Sequence, residues 1–178
     1  MYCGTNKVAC QSQRLIAEAL LRLMEGKSYA QISVSEICRE AGISRQTFYT
    51  LFAAKENVVS YALLENYGIE PDDEICSASC LDQFCHFGSR YILREREMLR
   101  LLVENQLTYL LYDSIRSMML QCDCILSGED ERMRGYTAEF MAGGFTSIAQ
   151  NYIRSGASET EEEMYRIMRS LFGGGGFS

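Results

Sequence analysis

The sequence is short of the residues on which most enzymes and secreted scaffolds rely. Tryptophan is absent, and proline and histidine each occur once in 178 residues. One proline suits long helices, whose interiors it would break. One histidine leaves only His86 for Ser/His/Asp chemistry, and no nucleophile elbow accompanies it. No glycine loop of the phosphate-binding kind follows a strand; the Gly173–Gly176 run lies in the tail and lacks the lysine. No enzyme is expected, and no cofactor. No apolar run approaches the roughly 20 residues that span a bilayer, and the polar N-terminus is not a signal peptide. Cysteine is not scarce: Cys3, Cys10, Cys38, Cys76, Cys80, Cys85, Cys122 and Cys124 make eight. Without an export signal, and in a chain too large to need staples, they read as reduced thiols, which places the protein in the cytoplasm.

What is present is a signal at 33–59, SVSEICREAGISRQTFYTLFAAKENVV. Ser33 with Glu36 fits a capping box. Gly42 suits the left-handed position that ends a helix, and Ser44 is a strong N-cap, so a second helix is predicted from Arg45 to Phe52. Val34, Ile37, Ile43, Phe48 and Phe52 form one small core. Arg45, Gln46, Thr47, Tyr49 and Thr50 are left for the outer side. This is the layout of a helix-turn-helix, whose second helix enters the DNA major groove. The outer chemistry agrees. Arg45 can bond guanine and Gln46 adenine, each good bidentate contact discriminating by roughly 1–3 kcal/mol. Thr47 can touch a base edge or a thymine methyl, and Tyr49 a phosphate. Lys55, opening the next helix, brings a cation and free N–H groups to a phosphate oxygen. The bland alternative is an ordinary helical hairpin in a core; caps, glycine turn, spacing and polar outer face all argue against it.

On these residues, Leu15 to Tyr61 resembles the DNA-binding domain of TetR-family transcriptional regulators. The resemblance rests on AGISRQTFY at 41–49, on Phe52, Lys55, Glu56, Val58 and Val59, and on a preceding helix with Leu15, Ile16, Ala19, Leu20 and Leu23 on one face, ending near Gly26. It is strong over the first third of the chain and weak beyond. The resemblance implies an all-α homodimer, a divergent ligand-binding domain and, usually, repression. It sets Ser33, Arg45, Gln46, Thr47, Tyr49 and Lys55 at DNA-contacting positions, with Ser44 beside them. Two departures stand out. Position 51 is Leu where the family often carries His, which either removes a polar contact or turns Leu51 inward. The first ten residues hold only Lys7 as a base, so non-specific DNA affinity should be modest.

Charge is uneven along the chain. Residues 1–60 hold 7 Lys+Arg and 5 Asp+Glu, a net +2, whereas residues 61–178 carry 10 and 19, a net −9. Only the field at the contact face governs phosphate attraction, and an acidic second domain keeps the rest of the molecule off DNA. The expected architecture is a three-helix DNA-binding domain at 1–54, a connecting helix at 55–67, a helical ligand-binding and dimerisation domain at 68–172, and a flexible tail at 173–178. Helices are predicted at 75–94, 108–124 and 134–154, with a bend at 94–98. The final helix is expected to start from a capping box of Ser158 and Glu161. Gly143-Gly144 inside a helix costs roughly 1 kcal/mol per glycine relative to Ala, which suggests close approach by another backbone.

Two kinds of further site are expected. His86, Tyr91, Tyr109, Tyr112, Met118 and Met119 offer the aromatic and thioether lining of an effector cavity; any one of them is otherwise ordinary core. Phe140, Gly143, Gly144, Ile148, Tyr152, Ile167 and Leu171 mark the last two helices, which resemble the family's pair that forms a four-helix bundle with its symmetry mate. Metal ligation by Cys76, Cys80, Cys85 and His86, or by Cys122 and Cys124, lacks a standard spacing, and no metal is expected. The partners expected are double-stranded operator DNA, a small-molecule effector and a second copy of the chain, with no membrane. Two alternatives stay open: a thiol- or metal-responsive regulator with the same head, and a helical interaction protein that has lost DNA binding.

Overall fold

The computed structural model describes residues 6–65, 80–121 and 130–173. These form α1 (Lys7–Gly26), a 3-10 turn (Tyr29–Gln31), α2 (Val34–Ala41), α3 (Arg45–Leu51), α4 (Lys55–Glu65), α5 (Cys80–Arg94), α6 (Arg96–Glu104), α7 (Thr108–Gln121), α8 (Glu131–Arg154) and α9 (Glu161–Phe172). No strand occurs among the described residues, so the protein is all-α. None of the described helices is long and apolar enough to cross a membrane. The chain divides into two compact units, Met1–Tyr67 and Gly68–Ser178. The ends of the expected connecting helix at 66–67 and of the helix at 108–124, the start of the helix at 75–94, and the tail after residue 173 lie outside the described residues, as do Cys3, Cys76, Cys122, Cys124 and the side chain of Cys80.

In the first unit α1 packs against α2 and α4, and α2 against α3. The core joins Ile16, Ala19 and Leu20 of α1 to Ile37 of α2, Phe48 of α3, Phe52 just past it, and Val58, Val59, Ala62 and Leu63 of α4. Each large side chain so enclosed contributes about 1.5–3 kcal/mol from apolar burial. The buried face of α1 differs from the expectation at its edges. Leu15 is exposed and Leu23 only half-buried, while Ala17 and Met24 are inside. The stripe is rotated toward Ile16, Leu20 and Met24, the i, i+4, i+8 line that faces α2 and α4.

In the second unit α8 packs on α7 and α6, and α9 lies along α5. Glu95 (φ −95°, ψ 21°) separates α5 from α6 at the expected bend. Two glycines admit side chains from α9. Met168 occupies the space where Gly88 of α5 lacks a side chain, and the ring of Phe172 does the same at Gly144 of α8. At Gly144 the close approach is made by an aromatic ring of the same unit, whereas at Gly143 the nearest such atom belongs to Tyr112, 4.0 Å away. The capping box of α9 also differs from the expected one. Thr160 is the N-cap, accepting from Glu163 N, while the Glu163 carboxylate takes the Thr160 N–H at 2.8 Å. Gly156 (φ 101°) and Ala157 (φ 53°) close α8 with a left-handed turn, so the new helix begins two residues later than Ser158 would allow.

Candidate nucleic-acid interface

The presentation of α3 is fixed by the backbone on either side of it. Ser33 starts α2: its hydroxyl accepts from Glu36 N at 3.3 Å, and its N–H donates to Glu36 Oε2 at 2.9 Å. Glu36 Oε1 takes the Lys27 ammonium. That bond, with the Ser33 amide and hydroxyl, holds the Glu36 carboxyl down to about 2. At the far end Gly42 adopts φ 66°, ψ 28°; its N–H reaches Arg39 O at 3.3 Å, and Ile43 N–H reaches Cys38 O at 2.9 Å. This is a Schellman closure, which satisfies the last carbonyls of α2 and turns the chain sharply. Ser44 then caps α3 by accepting from Thr47 N at 3.0 Å, and its hydroxyl lies 2.8 Å from that of Thr47.

The result is a two-turn rod, about 10 Å long, with two unlike sides. Phe48 and Leu51 are buried, which resolves the departure at position 51 in favour of an inward leucine. Arg45, Gln46, Tyr49 and Thr50 are exposed and Thr47 is half-buried. Tyr49 keeps 52% of its surface open while its ring meets Phe48 edge-on at 5.4 Å. Thr50 Oγ1 donates to Gln46 O at 2.9 Å. The Arg45 and Gln46 side chains make no hydrogen bond or ion pair within the described residues. Arg45, Gln46 and Tyr49, exposed together on one short rod, have the donors to read a groove edge and touch a phosphate. An open cleft of about 330 Å³ flanks the rod, lined by Gln46, Thr47, Thr50 and Leu51 on one side and by Asn6, Val8, Ala9 and Ser12 on the other. Sequence reading missed this first turn of α1. Its signal was Asn6, which accepts from Val8 N at 3.0 Å as an N-cap.

Lys55 faces inward. Its ammonium donates to Tyr29 O at 2.8 Å and to Ile32 O at 2.9 Å, and it stands 4.1 Å from the centroid of the Tyr29 ring.

The six residues read for an effector are not gathered. His86 is exposed on α5 and stacks on Tyr165 of α9 with ring centroids 4.0 Å apart. Tyr91 lies about 140° further round the same helix and is enclosed against Phe145. Tyr109 is exposed, Met119 is buried, and Tyr112 and Met118 are half-buried. Of the seven dimer residues, Phe140, Ile167 and Leu171 are exposed, and Gly143 and Ile148 are partly so. Tyr152 is not available to a partner, being 3% exposed, because it sits about 120° around α8 from Phe140. Gly144 is half-buried, with the Phe172 ring beside it. The exposed apolar stripe instead runs through Met133, Tyr136 and Phe140. Among the described residues no three of His, Cys, Asp and Glu gather to hold a metal. Cys85 is buried while its neighbour His86 points out.

Residues 16–62 match the family model for bacterial regulatory proteins, tetR family. Over 55 residues the chain is 46% identical to the HTH-type dhaKLM operon transcriptional activator DhaS of Lactococcus lactis, and over 38 residues 53% identical to the HTH-type transcriptional regulator EthR of Mycolicibacterium smegmatis. These matches cover 31% and 21% of this chain and span only 29% and 18% of the two relatives. Among solved structures, Lin0861 from Listeria innocua aligns with a TM-score of 0.78 at 16% identity, over 97% of this chain and 94% of that one. The dihydroxyacetone kinase operon activator DhaS aligns at 0.57 and 20% identity, over 90% and 93%. The likeness to solved structures extends to both units as a fold.

Proposed function

We propose that the chain, whose residues 16–62 match the family model for bacterial regulatory proteins, tetR family, is a homodimeric regulator of that kind that binds operator DNA in the cytoplasm and is released from it by a small molecule. The observation that carries this reading is the exposed outer side of α3, where Arg45, Gln46, Thr47 and Tyr49 stand on a rod anchored by Ser33, Gly42 and Ser44. Arg45 and Gln46 read bases, Tyr49 bonds a phosphate, and Thr47 sits at a base edge. Two copies insert their rods into successive major grooves about 34–36 Å apart. The second unit pairs through Met133, Tyr136 and Phe140 of α8 with Ile167 and Leu171 of α9, an apolar set that water would otherwise cover. Residues 55–67 link head to sensor. An effector acts by preferring the arrangement that does not fit DNA, and its effect is bounded by its differential affinity for the two states. Tyr112 and Met118 on α7 keep their place in its proposed site. No catalytic step is part of this proposal.

Repression is the mode we assign by family habit. Activation is the second reading, favoured by the 46% identity of the head to a relative named a transcriptional activator. A gel shift with the segment upstream of the chain's own gene tests DNA binding, and a reporter driven by that segment tests the sign. Arg45→Ala with Tyr49→Ala is expected to abolish the shift while helicity and oligomer mass are unchanged. Retained specific binding by that double variant would refute the assignment of the reading helix.

A further inference from the structure

We propose that Lys55 is a positioning residue of the DNA-binding head, clamping the peptide unit that leads into α2, and that it does not contact phosphate itself. The inference rests on the DNA-binding reading above. The peptide between Ile32 and Ser33 is held at both ends. Its carbonyl, on Ile32, accepts from Lys55 Nζ at 2.9 Å, and its N–H, on Ser33, donates to Glu36 Oε2 at 2.9 Å. A cation at the negative end of a peptide dipole and a carboxylate at its positive end stabilise the same orientation, and both bonds are charge-assisted. Lys27 on the other oxygen of Glu36 extends the line of alternating charge. The second bond of Lys55, to Tyr29 O, and its seat over the Tyr29 ring tie the 3-10 turn to the start of α4. Two of the three ammonium donors and one flank of the charge are thus committed within the head. Through Ser33 the clamp sets the start of α2, and α2 with its Gly42 turn sets α3. The one N–H left over belongs to a half-buried ammonium that its other two bonds hold toward the 3-10 turn, so a phosphate reaching for it would draw the charge away from those bonds.

Lys55→Met keeps the stem and removes the charge. Binding is measured by fluorescence anisotropy on a labelled duplex from the upstream segment, over a potassium chloride series, at a temperature where both proteins are fully folded. Loss of one phosphate contact per subunit lowers the slope of log K against log salt by about 0.9 each. The clamp predicts an affinity at least about tenfold weaker with the slope unchanged, together with faster hydrogen exchange at the Ser33 amide but not in the middle of α1. A slope reduced by about 0.9 per subunit, or an affinity equal to wild type, overturns the proposal. If the variant does not fold, wild-type NMR decides. The Lys55 Hε resonances, shifted upfield by the Tyr29 ring, remain shifted when the duplex is added if the clamp holds; their return to ordinary lysine values overturns it. Should the wild-type protein fail to bind DNA, the regulator reading falls, while the ring shift and the Ser33 exchange in the free protein still test the clamp.

Discussion

The ring of Phe172 rests where residue 144 has no side chain: its Cε1 is 2.7 Å from the point a Cβ at Gly144 would occupy. The same ring meets Phe84 of α5 edge-on at 5.2 Å and Phe140 of α8 at 6.0 Å. Two opposing effects therefore act on Gly144→Ala. Helix propensity gains about 1 kcal/mol, and overpacking against the ring costs about 1–3 kcal/mol. The single variant is expected to be less stable by on the order of 1 kcal/mol in urea unfolding. In a Phe172→Ala background the same change is expected to be neutral or stabilising. A substitution that stabilises in both backgrounds would show that the ring does not depend on the glycine.

Gly42 tests the turn between α2 and α3. No atom lies within 4 Å of a Cβ built there, so Gly42→Ala is opposed by its left-handed φ of 66° and not by crowding. The expected loss is roughly 1–2 kcal/mol, with Gly42→Asn losing less, as read from the melting of the purified protein.

That turn also shows what was legible beforehand. Ser33, Glu36, Gly42 and Ser44 announce two helices and their junction because each acts within four residues of chain, and all four sit where the pattern put them. The inward Lys55 was not legible, since its partners Tyr29 and Ile32 are carbonyls more than twenty residues away and any side chain could precede them. In the second unit the helices could be read but not their faces. Tyr152 and Phe140 look alike as aromatic residues of α8, and only packing against α7 and α6 decides which is enclosed. The start of α9 was misplaced because Ser158 and Glu161 have the same spacing as Thr160 and Glu163, and the left-handed residues 156 and 157 select between them.

Acid should loosen the head through Glu36. Its carboxyl titrates near 4.5 when unfolded and is held to about 2 when folded, first by the Lys27 bond. A depressed carboxyl contributes its full stability above 4.5 and loses it as pH falls toward 2. Thermal melts across that window are expected to fall with pH in the wild type and to fall less in Glu36→Gln. Equal slopes would remove Glu36 from the account.

Self-association is expected to depend on Phe140, which is 62% exposed beside an equally exposed Tyr136. Phe140→Asp should shift sedimentation toward the monomer and weaken duplex binding in parallel, with helicity kept. A dimer that persists in Phe140→Asp would move the pairing surface elsewhere.

The buried thiols bear on a redox-responsive alternative. Burial pushes Cys85 up to about 11 and raises Cys38 as well, and a thiol without thiolate character is a poor nucleophile. Iodoacetamide at pH 8 is expected to label half-buried Cys10 ahead of both, as resolved by peptide mass spectrometry. Stoichiometric modification of Cys85 in the folded protein would restore a sensing role to that helix.

Because the outward side chains of α3 carry so little of the architecture, they are open to replacement. Positions 45, 46 and 49 can be randomised together, and the clones should still fold, since the caps, the turn and the inward Phe48 and Leu51 are left intact. On the DNA-binding reading proposed above, an engineer could retarget such a head by rewriting two letters, Arg45 and Gln46, while keeping Tyr49 for its phosphate.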